Sequence, residues 1–157
     1  MKYRQLTKEQ LEALHEEFAT FLASQEIDVK EWTNIKDSNP NLVEEELNLF
    51  SDMVWEDVLS KAEFITHTSN HVLNLFKCGD HKIVRIVVKL TGDRNFTNPQ
   101  DFAWVMNSIT HPNVELLFGS KNYAKDRNLE IFQIIESGAE ITDGTVFNHV
   151  SKFVKQS

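Results

Sequence analysis

The sequence predicts an α+β fold in which N-terminal helices pack on a mixed sheet and further helices follow at the C-terminal end. Three observations predict it. Apolar residues recur at helical spacing as far as Lys61 and at strand spacing beyond it. The charge changes at the same place: Met1 to Lys61 holds 14 Asp/Glu and 6 Lys/Arg, net −8, whereas Ala62 to Ser157 holds 10 of each. The later part contains two strand runs joined by Gly79-Asp80, a dipeptide suited to a two-residue hairpin turn.

The acidic part reads as folded helices rather than a charged tail, because each start carries its own cap. In Leu6-Thr7-Lys8-Glu9-Gln10-Leu11, Thr7 caps, Gln10 reaches back and Leu6 staples onto Leu11. Leu11, Leu14, Phe18, Phe21 and Leu22 then share one helical face. The pattern repeats at Ile27-Asp28-Val29-Lys30-Glu31-Trp32, for a short helix ending near Asp37. Asn39-Pro40 is a third cap with proline in the first turn. Val43, Leu47, Phe50, Val54 and Val58 carry that helix to about Lys61, with a candidate break at Ser51-Asp52.

In the neutral part, Glu63–Thr68, His71–Cys78 and His81–Leu90 are strand candidates. A turn at Gly79-Asp80 sets Cys78 opposite His81, Phe76 opposite Ile83 and Asn74 opposite Arg85, with the more apolar Leu73 and Leu75 on the other face. Asn98-Pro99 caps a helix with Phe102, Val105, Met106 and Ile109 on one side, and His111-Pro112 stops it. Val114–Phe118 is then a strand, expected to run parallel to His81–Leu90 through a right-handed crossover. Residues 128–136 fit either period; Gly138 as a C-terminal cap favours a helix. A last helix runs through Val146, Phe147, Val150 and Phe153, capped by Thr142 or Asp143.

Length and composition bound the function. At 157 residues the chain is the size of one domain, with an acidic helical region at 1–61 and a mixed region at 62–157. Hydrophobic residues at 41% and charged residues at 25% exclude a disordered chain. A single cysteine, Cys78, leaves no internal disulfide and suits a reducing cytoplasm. MKYRQLTKEQ has no apolar signal core, and Ile83–Leu90 is interrupted by Arg85 and Lys89, so no membrane partner is expected. Net charge −8 repels phosphate backbones, which makes nucleic acid an unexpected partner.

Three constellations are candidates for chemistry. His67, His71, Cys78 and His81 lie within 15 residues, but the hairpin register sends His71 to the opposite face from Cys78 and His81. That leaves an open two-ligand candidate, Cys78 and His81, and no metal or other cofactor is expected. Parallel strands ending at Leu90 and Phe118 would bring two polar loops to one rim, where ligands gather in open sheets. Asp93, Arg94, Asn95, Ser120, Lys121, Tyr123 and Arg127 would then form a basic ligand site for a small anion. The element order from Asn39, α-β-β-β-α-β, resembles the core of the restriction-endonuclease-like nucleases. Asp80-His81-Lys82 matches their D-x-K, yet it falls at the turn, and His71–Cys78 carries no acid, so such a site would be degenerate.

MKYRQLTKEQLEAL, EEELNLFSDMVWEDVL and NLEIFQIIESGAEITDG resemble a small family of uncharacterised bacterial proteins, a domain of unknown function found mainly in Bacteroidetes. The resemblance implies a cytoplasmic single-domain protein and carries over no site. The expectation is therefore a non-catalytic binding or adaptor module, with a protein partner on the acidic helices and an anionic small ligand at the strand ends. The alternative is a degenerate nuclease relative or another small metal-dependent enzyme. Oligomeric state is not legible.

Overall fold

A computed structural model describes residues 1–154. Two compact units divide the chain, Met1–Ser60 and Lys61 onward. The division falls one residue from the change in charge. Moving Lys61 across leaves the first unit with 14 acids and 5 bases, net −9, and the second with 10 and 11, net +1.

The first unit is helical: α1 Lys8–Ala13, α2 His15–Ser24, α3 Val29–Ser38 and α4 Pro40–Lys61, whose last residue enters the second unit. Each predicted start carries its side-chain cap, though only Thr7 and Gln10 form the full reciprocal box; at Asp28 the expected return bond from Glu31 is not made. Thr7 Oγ1 accepts from the Gln10 N–H at 3.2 Å and Gln10 Oε1 accepts from the Thr7 N–H at 2.9 Å, which satisfies two of the donors a helix start leaves open. Asp28 Oδ1 accepts from Glu31 N at 2.8 Å, and Asn39 Oδ1 from Leu42 N at 3.3 Å. The first predicted helix is divided at Leu14, where φ −107° and ψ 24° leave helical geometry.

At Ser51-Asp52, α4 continues without interruption. The two polar side chains hold the N-terminal segment instead. Ser51, fully buried, accepts from the Leu6 N–H at 3.0 Å. The Asp52 carboxylate accepts from the N–H groups of Lys2 and Tyr3 at 2.7 and 2.9 Å, and the Tyr3 hydroxyl donates to Glu56. Phe50 joins Phe18 and Phe21, with ring centroids 5.0 and 5.4 Å away, and Trp32 packs on Phe18 at 5.3 Å.

The second unit is a five-stranded sheet with three helices. Its strands are β1 Phe64–Thr68, β2 Val72–Cys78, β3 Lys82–Leu90, β4 Val114–Asn122 and β5 Glu140–Thr142, in the order β4-β3-β2-β1-β5. Its helices are α5 Pro99–Met106, α6 Arg127–Glu136 and α7 Thr145–Ser151. Residues 128–136 are thus helical, and Asn98 caps α5 by accepting from Gln100 N and Asp101 N at 2.9 and 3.1 Å.

Every strand pair is antiparallel, which corrects the mixed sheet and the parallel crossover. Leu90 lies opposite Val114 and Lys82 opposite Asn122. Residues 91–113 are long enough for either path, and the pairing at their end decides the direction. The chain re-enters beside Leu90, where the Thr91 N–H donates to Asn113 O at 2.9 Å.

The hairpin register is also corrected. Cys78 pairs with Ile83, Phe76 with Arg85 and Leu75 with Ile86, two positions along from the count. Asp80 and His81 form the turn, closed by Gly79 N–H donating to Lys82 O at 3.0 Å. A shift of two preserves the side-chain faces. Leu73, Leu75, Ile86 and Val88, all fully buried, therefore join Leu90, Val114, Phe96, Val105, Ile109, Phe147 and Val150 in one core, as an apolar face should. Each such aliphatic side chain stabilises the unit by roughly 1.5–3 kcal/mol. Among the described residues no helix is long and apolar enough to cross a membrane.

Candidate functional site

The other face of the sheet is the mixed one. It carries Asn74, Phe76 and Cys78 from β2, Ile83, Arg85 and Val87 from β3, His67 from β1, and Gly119 and Lys121 from β4. Helix α6 covers one part of it, with Ile131 fully buried. Beside α6 the face opens into a cleft of about 750 Å³, with Phe76, Ile83 and Ile134 as apolar walls. Gly138, at φ +115°, turns the chain out of α6 against His67, where a Cβ would stand only 3.1 Å from Nε2.

Arg85 is the central polar group of this cleft. Its Nε and Nη2 donate to the single acceptor Asn74 Oδ1 at 3.1 and 2.5 Å. Its guanidinium carbon lies 5.6 Å from the centroid of the Phe76 ring. The side edge of the fork is thus spent on Asn74, which leaves three of the five N–H donors, two of them on the Nη1–Nη2 edge. Lys121, 69% exposed, meets Glu130 at 3.4 Å. Among the described lining residues are two cations and a histidine but no acid. A smaller hollow of about 240 Å³ adjoins it, sharing Ile83, Lys121, Ile134 and Ser137 and adding Tyr123, Glu130 and Gln133. The arrangement can bind an anionic group and cover an apolar body.

The antiparallel β4 separates the predicted rim into two groups. Ser120 and Lys121 line the cleft, Tyr123 lies in the adjoining hollow, and Arg127 follows at the same end. Asp93, Arg94 and Asn95 follow β3 at its opposite end. There Arg94 stacks 3.8 Å from the Trp104 ring centroid, and Asn95 Oδ1 accepts from the N–H and hydroxyl of Thr97 at 2.8 and 2.7 Å. Arg127 has a framework role: it donates to the carbonyls of Ala62, Gly79 and Cys78 at 2.7, 3.0 and 3.3 Å. The Tyr123 hydroxyl donates to the same Gly79 carbonyl at 2.9 Å, and burial pushes its pKa up to about 12.

The chain matches, over residues 1–155, a family described as "Family of unknown function (DUF6495)". It belongs to that family. No curated protein and no solved structure matches the chain.

In this DUF6495 member, Cys78 and His81 do not face one another. Cys78 is buried opposite Ile83, whereas His81 is exposed in the turn. Burial raises the Cys78 thiol to about 11 against the opposing pull of the Arg127 charge, so it stays protonated at neutral pH. Asp80-His81-Lys82 occupies that same turn and the start of β3. Among the described residues no three or more His, Cys, Asp or Glu side chains converge as a metal site. Asn74 and Arg85 at the centre of the mixed face were legible from the hairpin; their role as the cleft floor was not, because α6 could not be placed over it from sequence.

Proposed function

We propose that this protein is a non-catalytic binding module of the bacterial cytoplasm, and that the cleft on the mixed sheet face takes a small carboxylate carried on an apolar body. The observation that carries this reading is Arg85, oriented by Asn74 beside Phe76 in a cleft whose described lining holds no acid. A guanidinium with its orientation already set loses less freedom on binding than a solvated one. The volume falls within the range of small-ligand clefts. Ser120 and Lys121 stand at the mouth as secondary contacts.

The test is a thermal-shift and calorimetric screen with benzoate, phenylpropanoate and aliphatic carboxylates. One charged hydrogen bond is worth about 1.5–3 kcal/mol, so Arg85→Ala should weaken binding roughly ten- to a hundredfold. Arg94→Ala, at the far end of β3, should leave it unchanged. Equal responses from the native and Arg85→Ala chains remove the proposal.

A protein partner on the acidic helices is a second reading, favoured by Leu49 and Met53. These side chains lie one turn apart on α4 and are 56% and 49% exposed. A Leu49→Lys/Met53→Lys chain should lose, in a pull-down, a partner that the native chain retains. Identical capture by both excludes this surface.

A further inference from the structure

We propose that two copies of this chain associate through β4, edge to edge and antiparallel, about a two-fold axis at Phe118. Among the described residues the nine-residue β4 is the outer strand of the sheet and pairs with β3 on one side only. Every residue from Leu117 to Asn122 is exposed, with Leu117 at 41% and Phe118 at 38% on opposite faces. A long edge strand presents a row of backbone donors and acceptors to any strand that can align with it, and chains usually blunt such an edge with proline, bulges or central charges. The sequence Val114-Glu115-Leu116-Leu117-Phe118-Gly119-Ser120-Lys121-Asn122 has no proline, and its charges stand only at Glu115 and Lys121.

Those two charges identify the occupant. They lie three residues before and three after Phe118. Antiparallel pairing centred on Phe118 sets Glu115 opposite Lys121 of the second copy, and the symmetry makes the contact twice. Leu117 then faces Gly119 of the second copy, where no atom lies within 4 Å of a Cβ position. The two Phe118 rings meet at the axis on the other face. No other two-fold register centred on a β4 residue opposes these charges. The surface is self-complementary, as an isologous interface requires, and opposite charges directly across antiparallel strands are favourable.

The pairing also reaches the cleft. Gly119 and Lys121 line its open side, so Leu117 and Glu115 of the second copy would stand at that side as an added wall. This last point rests on the binding reading above; the association itself does not.

The test is the mass of the full chain, by sedimentation velocity and light scattering over a wide concentration range. The native chain should move from 18.2 kDa toward twice that value as concentration rises. Glu115→Lys and Lys121→Glu should each weaken association at least about tenfold, the charge-exchanged double variant should restore it, and Arg85→Ala should leave it intact while losing ligand response. Amide exchange along β4 in the native chain should slow as concentration rises, which reads the pairing without any substitution. A chain that stays at 18.2 kDa throughout, a dimer indifferent to the single reversals, or no rescue by the double exchange overturns the proposal.

Discussion

The guanidinium of Arg127 and the carbonyl of Ala62, 65 positions apart in the chain, meet at 2.7 Å. The same side chain donates to the carbonyls of Cys78 and Gly79. Arg127 thereby joins the entry to β1, the hairpin between β2 and β3, and the first turn of α6. Replacing it with alanine removes this donor from the Ala62 and Cys78 carbonyls, while Gly79 keeps the Tyr123 hydroxyl, and should cost roughly 3 kcal/mol in urea unfolding of the intact chain. Lysine, a point charge without the planar fork, should recover only part of this. A loss below about 1 kcal/mol would show the contacts to be incidental.

Both tyrosines of the chain should titrate late. Tyr3 is raised to about 12 by burial and by its hydrogen bond to Glu56, and Tyr123 is raised to about 12 chiefly by burial. Groups with a folded-state pKa above the unfolded value of about 10 stabilise the native state fully below that pH. Their contribution is lost as pH climbs from about 10 towards 12. Ultraviolet titration should show little tyrosinate until that window or until unfolding, whichever comes first. An ordinary midpoint near 10 in the folded chain contradicts the packing of both hydroxyls.

Gly144, the N-cap of α7, sits at φ 85° with the Phe64 ring where a side chain would begin. Gly144→Ala combines left-handed strain with overlap against a ring and should destabilise by roughly 3 kcal/mol. Gly119 has ordinary φ and open space around its Cβ position, so Gly119→Ala should change stability by less than about 0.5 kcal/mol. Equal melting shifts for the two variants would refute the contrast.

The Cys78 thiol should be inert in the folded protein. It is buried and raised to about 11, so the thiolate that attacks a disulfide reagent is scarce at neutral pH. Its reaction with an aromatic disulfide should be slow in buffer and fast in denaturant. Comparable rates in both would place the sulfur at the surface.

Local signals were legible and long-range ones were not. Thr7, Asp28, Asn39 and Asn98 announced their helices because a cap needs only a side-chain oxygen within three residues of the N–H groups it satisfies. The two faces of the hairpin were legible because alternation survives any even shift of register. The register itself was set by tertiary contacts: Tyr123 and Arg127 take the Gly79 carbonyl, and Cys78 N–H donates to Glu63 O at 2.7 Å. The direction of β4 depended on where residues 107–113 bring the chain back, beside Leu90, with Thr91 N–H donating to Asn113 O. Strand β5, three residues long, has no pattern of its own and exists by pairing with Phe64–Thr66. The candidate site followed the same division. Arg85 and Asn74 were placed by alternation, while the separation of Arg94 from Lys121 turned on a strand direction that no local pattern encodes.

The sheet ends differently on its two sides, in a nine-residue strand at β4 and a three-residue strand at β5. Open-ended polymerisation by strand addition requires two competent edges on each subunit, so that every arrival offers a new one. A subunit with a single competent edge caps its partner as it binds. The brevity of β5 is therefore a chain terminator: growth of the sheet stops after one addition, and the exposed Leu117 and Phe118 need not lead to fibres.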